Sequence, residues 1–182
     1  SSAMADTTDD LIQRVDSIMD NISQIYGKKQ ARIDFYKNMA EKSRKPETLL
    51  SAYDKLYDEY FVFQFDSAMV YVDKAIQLAD RIGDKYHHDK SRIEKASLLA
   101  VGGLYGEAMG LLGEIDSVKL DDELRFTYTI THYYVYTYWA DYCHDNTYSP
   151  RYRERADSYL KQAVAMLRPS DSYYDFFWGE YY

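Results

Sequence analysis

Three segments of this 182-residue chain repeat one pattern around a small residue. When Ala68, Ala108 and Ala156 are aligned, apolar side chains recur three, four, seven and ten positions later. They are Tyr71, Val72, Ala75 and Leu78, then Leu111, Leu112, Ile115 and Val118, then Tyr159, Leu160, Ala163 and Met166. This spacing follows one helix face, and a small residue lets a second helix approach closely. The pattern predicts a stack of helical hairpins, in which each copy supplies the second helix of one hairpin.

The composition favours helices and narrows the possible partners. Only 3 prolines and 8 glycines occur, and 46% of the residues are hydrophobic, which is typical of long helices around a core. The net charge of −8 argues against nucleic acid as a partner, because phosphate contacts require a positive surface. A core could not satisfy the hydroxyl groups of all 21 tyrosines, so some of them are expected at the surface.

Residues 9–45 are expected to form a pair of helices ahead of the repeats, and residues 1–8 to be disordered or a scar of expression. An apolar stripe with alternating spacings of four and three predicts a first helix that ends near Gly27. The stripe consists of Leu11, Val15, Ile18, Ile22 and Ile25. The second helix is predicted from Lys28 to Lys42. Its excess of Lys and Arg over Asp and Glu is interpreted as a solvated face rather than a patch for nucleic acid or anionic lipid.

Residues 121–142 carry two conflicting patterns. Apolar and polar residues alternate from Phe126 to Thr131, as they do in a strand. Helical spacing instead relates Tyr128, His132, Val135, Trp139 and Tyr142. No glycine or proline interrupts the segment, and it is longer than a typical strand. We therefore predict a helix.

The repeated segments resemble the helix–turn–helix unit of tetratricopeptide repeats, and Tyr105-Gly106-Glu107-Ala108 is the stretch most similar to the turn of that family. The resemblance implies an all-α fold, a right-handed stack of hairpins over residues 46–182 that follows the two N-terminal helices. The predicted repeats are 49–84, 89–119 and 121–169, with a truncated fourth repeat from residue 172. The aligned alanines are 40 and 48 residues apart, more than the usual repeat of about 34 residues. An insertion around residues 143–150 interrupts the third copy.

A second set of residues resembles one group of tetratricopeptide proteins. The set comprises Lys28…Arg32-Ile33, Tyr57…Tyr60, Phe65-Asp66-Ser67-Ala68…Tyr71 and Gly179-Glu180-Tyr181-Tyr182. Its order resembles that in envelope-anchored regulators similar to the starch-utilisation regulatory protein of gut anaerobes. The resemblance implies that this chain is most of the periplasmic sensor part of a membrane-anchored transcriptional regulator. The membrane segment and a DNA-binding domain would lie outside this sequence.

The first helices of the predicted repeats are rich in aromatic residues, and in tetratricopeptide stacks these helices line the concave surface. The resemblance therefore predicts a partner-binding groove there. Its predicted side chains are Tyr53, Tyr57, Tyr60, Tyr128, His132 and Trp139. A protein or peptide is the expected partner. An oligosaccharide stacked on the rings, or self-association as a homodimer, remains an alternative, and core packing is the competing interpretation for any single tyrosine.

The residue types that carry catalysis do not occur here in a recognisable arrangement. The glycines between Gly102 and Gly113 lack the Lys and Ser or Thr of a phosphate-binding loop. The segments His87-His88-Asp89 and Cys143-His144-Asp145 lack the spacing that directs two ligands to one metal ion. We therefore expect a non-catalytic binding domain that uses no cofactor and no metal.

Overall fold

The computed structural model describes residues 2–172 and 174–181, with side chains for residues 7–172 and 174–180. Over this part the chain forms α-helices joined by short connections. They are α1 (Ser2–Lys42), α2 (Pro46–Phe61), α3 (Phe65–Ile82), α4 (Lys85–Val101), α5 (Tyr105–Gly113), α6 (Asp122–Cys143), α7 (Tyr148–Ala165) and α8 (Tyr174–Tyr181). A 3-10 turn, Ser117–Lys119, joins α5 to α6. The prediction of an all-α fold is confirmed.

The helices stack as hairpins. Consecutive helices pack side by side as α2–α3, α4–α5 and α6–α7, and α8 packs on α7. The first helices also contact one another, since α2 touches α4 and α4 touches α6. The first two cores therefore each include a side chain from the next hairpin, and the third includes Phe177 of α8. The first core contains Ile33, Leu56, Val72 and Leu98, the second contains Ile93, Leu112 and Val135, and the third contains Ile130, Leu160 and Val164.

The aligned alanines lie where the hairpins are tightest. Ala68 and Ala108 are fully buried and Ala156 is 3% exposed, as close helix packing requires. The positions four and seven residues later are buried in all three copies. The position ten residues later differs, because Val118 lies in the 3-10 turn beyond the end of α5 and is 82% exposed. Met166 likewise follows the last residue of α7 and is exposed.

The ambiguous segment is a helix, α6, despite its strand-forming residues. Asp121 caps its first turn by accepting a hydrogen bond from the backbone N–H of Leu124 at 2.8 Å. The hydroxyls of Thr127, Thr129 and Thr131 donate to the carbonyl oxygens four residues earlier, at 3.1, 2.7 and 2.6 Å. These bonds satisfy the threonine hydroxyls within the helix, so β-branched residues are accommodated where packing favours a helix.

The predicted pair of N-terminal helices is one continuous helix, α1, so the expected break at Gly27 is wrong. Glycine in a helix interior costs only about 1 kcal/mol relative to alanine, which is too little to end a helix whose neighbours favour it. Residues 2–8, expected to lie outside the helix, form the start of α1. Residue 1 and the side chains of residues 2–6 lie outside the description.

Two glycines with open surroundings should respond in opposite ways to alanine. Gly27 is helical, whereas Gly83 ends α3 in the left-handed region at φ 71°, and a Cβ at either position would meet nothing within 4 Å. Gly27→Ala should therefore raise helicity and stabilise α1 by about 0.5–1 kcal/mol. Gly83→Ala should destabilise the fold by about 1 kcal/mol. Circular dichroism at 222 nm and thermal melts measure both effects, and a loss of helicity in Gly27→Ala would contradict the continuous helix.

Candidate binding groove

The first helices of the three hairpins enclose a cleft of about 270 Å³, called here the first-helix groove. Its lining residues are Tyr57, Asp58 and Phe61 of α2, Ile93, Glu94 and Ser97 of α4, and Thr127 of α6. Rings and an aliphatic side chain form one part of this surface, and carboxylates form another. The groove can therefore contact apolar and charged groups of a partner at the same time.

Tyr57 fixes the position of α2 against α4 at the bottom of the groove. Its ring is 5% exposed and its hydroxyl donates a hydrogen bond to the backbone carbonyl of Glu94 at 2.7 Å. Burial raises the pKa of the Tyr57 hydroxyl well above its ordinary value, and the charge of Glu94 adds to this effect. The hydroxyl therefore stays a neutral donor at physiological pH, and a phenylalanine here would leave the Glu94 carbonyl without this bond.

A set of carboxylates with one lysine borders the groove. The Lys90 ammonium lies 2.7 Å from the Asp54 carboxylate and 3.3 Å from that of Glu94. Burial acts to lower the pKa of Lys90, but the bonds to Asp54 and Glu94 outweigh it and raise this pKa. Lys90 therefore stays charged and holds Asp54 and Glu94 together.

The carboxyl groups of Glu94 and Asp58 resist ionisation. Burial raises the pKa of Glu94 to about 9, and the neighbouring charge of Asp54 contributes in the same direction. Burial also raises the pKa of Asp58, again with a contribution from Asp54. Like charges held close together in a partly desolvated site disfavour the ionised form. The charges of Lys90 and Lys55 act in the opposite direction on Asp58, and further positive charge would stabilise the set.

The predicted tyrosines of α2 separate onto two faces. Tyr57 lines the groove, whereas Tyr60 faces α3, where its ring stacks on Tyr71 with the centroids 5.8 Å apart and the planes 1° apart. Tyr53 is half-buried and lies 6.2 Å from the Tyr71 ring. Tyr57 and Tyr60 both belong to the first core, and Tyr53 packs on a neighbouring cluster around Leu50.

The predicted aromatic residues of α6 face α5 and α7 rather than the groove. The Tyr128 hydroxyl donates to the Leu112 carbonyl at 3.3 Å. The buried His132 ring stacks on Tyr159 at 4.5 Å, and burial lowers its pKa, so it stays neutral. The Trp139 ring stacks on Tyr152 at 4.4 Å. The six predicted side chains therefore do not form one surface, and of these six Tyr57 alone lines the first-helix groove.

Sequence reasoning missed the polar residues of the groove, although a signal for them exists. Residues 54, 58 and 61 of α2 are spaced i, i+4, i+7, and residues 90, 94 and 97 of α4 repeat that spacing. Residues 123 and 127 of α6 begin the same series. Such spacing places each set on one helix face. Polar helix faces usually meet solvent, and only the packing of α2 on α4 brings these faces together.

A larger cleft of about 590 Å³ lies at the start of α6, beside the connection from α7 to α8. Its charged residues have both signs, with Asp122, Glu123 and Asp171 acidic and Arg125 and Arg168 basic. Among the described residues, no group of three or more His, Cys, Asp or Glu side chains is placed to hold a metal ion. No helix in the described part of the chain has the length and apolarity needed to cross a membrane.

The hairpin stack agrees with a comparison to known families. A family model described as the SusR N-terminal TPR domain matches residues 19–182. The chain belongs to this family. The match includes all three hairpins, α8 and the whole first-helix groove. The resemblance to tetratricopeptide regulators inferred from the sequence is thereby confirmed. A search of curated proteins finds no match.

Glu94 should make stability fall as pH rises. Its folded pKa of about 9 lies above the unfolded value of 4.5, so between these pH values the unfolded state loses a proton that the folded state keeps. Glu94→Gln removes this effect. Relative to the original protein, it should leave stability unchanged at pH 4.5 and add on the order of 2 kcal/mol at pH 8, a rise in melting temperature of about 4–8 °C.

Thermal melts at pH 4.5 and pH 8 measure this difference. Glu107→Gln is the matched control, because Glu107 is an exposed glutamate on α5 and the substitution is chemically the same. The melting temperature of the control should change by the same amount at both pH values. An equal shift for Glu94→Gln would contradict a protonated carboxyl in the groove.

Proposed function

We propose that this domain binds a peptide segment of a partner protein in the first-helix groove. TPR domains commonly mediate protein–protein interactions, which supports a protein partner. The observation that carries the proposal is a cleft in which the half-buried Phe61 ring lies beside the carboxyl groups of Asp58 and Glu94, above the buried Tyr57 and Ile93. A segment that places an aliphatic or aromatic side chain next to a basic one would match both parts.

The charge of the groove favours a cationic peptide. Asp54, Asp58, Glu94 and Glu123 lie on the faces that border the groove, and Lys90 is the basic residue among them. A bound ammonium or guanidinium group would add positive charge to that of Lys90, and it would lower the pKa of Glu94. Binding should therefore release a proton near neutral pH and tighten as pH rises from 6 to 8.

We further propose that the domain is the sensor and interaction module of a membrane-anchored transcriptional regulator, placed in the periplasm. The family description and the sequence resemblance to envelope-anchored regulators support this proposal. In this role the domain is non-catalytic, and occupancy of the groove is the signal that the rest of the regulator transmits. Oligosaccharide binding stays an alternative prediction. It receives less support because the rings on which it depended, such as Trp139 and Tyr60, are stacked on other protein rings.

Fluorescence anisotropy with labelled 12-residue peptides tests the groove. A peptide with alternating Lys and Phe should bind, and one with Glu in place of Lys should not. Asp58→Lys should weaken binding of the basic peptide at least tenfold, about 1.4 kcal/mol, because it reverses a charge inside the groove. Asp157→Lys, at an exposed position on α7, makes the same change in net charge and should have little effect.

Equal weakening by Asp58→Lys and Asp157→Lys would reduce the interaction to general charge attraction and would contradict the groove. Calorimetry in two buffers of different ionisation enthalpy measures the proton released on binding. Release that persists in Glu94→Gln would contradict the role of Glu94.

A further inference from the structure

The first half of α1 carries an apolar stripe that no other described part of the chain covers. Its side chains, called here the α1 stripe, are Leu11, Ile12, Val15, Ile18, Met19, Ile22, Ile25 and Tyr26, each between 39% and 64% exposed. They are eight of the 22 exposed large hydrophobic side chains among the described residues. Monomeric proteins rarely expose a contiguous apolar patch of more than a few hundred Å². In proteins most of the stability of a helix also comes from the packing of its apolar face.

We propose that two copies of this chain pair through their α1 stripes as an antiparallel two-helix coiled coil. The proposal is independent of the first-helix groove. Leu11, Val15, Ile18, Ile22 and Ile25 alternate spacings of four and three, which is the a and d pattern of a coiled coil. The stripe therefore has the repeat that pairing with another helix requires.

The width of the stripe selects the antiparallel orientation. In the heptad, Ile12, Met19 and Tyr26 occupy the e positions, and Arg14, Asn21 and Lys28 occupy the g positions. In a parallel pair each e side chain meets a g side chain of the other helix, which would place apolar residues against charged ones. In an antiparallel pair e meets e and g meets g. The apolar flanks are then buried together.

The g positions are compatible with this orientation. Pairing Val15 with Ile18 of the second copy sets Arg14 against Asn21, and Lys28 against Thr7. No pair of basic residues is then opposed at the g positions.

The stripe ends where α1 begins to pack on its own hairpin. Ile33 is 1% exposed within the first core. Lys29 and Arg32 bind the carboxylate of Glu59 on α2, at 3.2 and 2.6 Å, and the Lys29 ammonium lies 4.8 Å from the centre of the Phe63 ring. The second half of α1 therefore packs on the first hairpin, whereas the first half projects away from the hairpins. A stable interface buries about 800 Å² per partner, and eight large, half-exposed side chains supply an area of that order.

Sedimentation equilibrium of residues 1–182 between about 1 and 100 µM tests the pairing. The expected mass is twice the chain mass of 21.4 kDa. Val15→Asp with Ile18→Asp should give a monomer whose hairpins melt as before, because both residues lie away from the hairpin cores. Ser17→Asp with Gln24→Asp adds the same charge on the polar face of α1 and should stay dimeric. A monomer at 100 µM for the unchanged chain, or a dimer that survives Val15→Asp with Ile18→Asp, would overturn the proposal.

A disulfide test decides the orientation. In a Cys143→Ser background, Thr8→Cys and Ile25→Cys proteins are mixed and oxidised. The antiparallel register brings position 8 of one copy beside position 25 of the other, so disulfides should form between the two variants. Disulfides only between identical variants would show a parallel pair and overturn the orientation.

Discussion

The structure depends on the close approach of helices at three alanines. At Ala68, Ala108 and Ala156 the second helix of each hairpin comes so near its neighbours that a side chain of one carbon is buried almost completely. A similar constraint acts where the hairpins meet, because a Cβ at Gly102 would lie 2.6 Å from the Phe65 ring. The backbone of Gly102 is unstrained, so a side chain there would be opposed only by the Phe65 ring, which would have to move. This spacing brings α2, α4 and α6 into direct contact, and without that contact the groove would not form.

Close packing also explains why tyrosine rather than phenylalanine fills several contacts between hairpins. The Tyr57 hydroxyl bridges α2 to α4, the Tyr128 hydroxyl bridges α6 to α5, and the Tyr133 hydroxyl donates to Glu180 of α8 at 3.0 Å. Each ring fills apolar space while its hydroxyl satisfies an acceptor in the neighbouring unit. Hydrogen bonds between neighbouring helices therefore satisfy some of the hydroxyls of the 21 tyrosines. Others, such as Tyr142, remain exposed.

The repeat register, the helical nature of α6 and the family could be predicted from the sequence, because apolar periodicity and a small residue at a fixed place depend on local spacing. The continuity of α1 could not be predicted with the same ease. Gly27 carries a breaking signal whose energetic cost is small, and the pattern on either side cannot reveal whether the helix tolerates it. The residues that line the groove were harder still to predict. Tyr57 and Tyr60 are three residues apart on α2, yet one meets α4 and the other meets α3. Periodicity identifies a buried face but not the neighbour that buries it, so the polar set around Glu94 emerges only once α2 and α4 are placed together.

The first-helix groove and the anchor of α1 lie next to each other on α2. Asp58 lines the groove, and the adjacent Glu59 holds Lys29 and Arg32 of α1. The anchor of the projecting helix is thus one residue from the groove. In the proposed antiparallel pair, the hairpin stacks of the two copies lie at opposite ends of a shared segment of about 19 residues, or about 28 Å. Two grooves held at a fixed separation favour a partner with two basic segments, because the second segment binds at a high effective concentration once the first is bound. Pairing through α1 and recognition in the groove are therefore distinct in chemistry but linked through the same short stretch of α2.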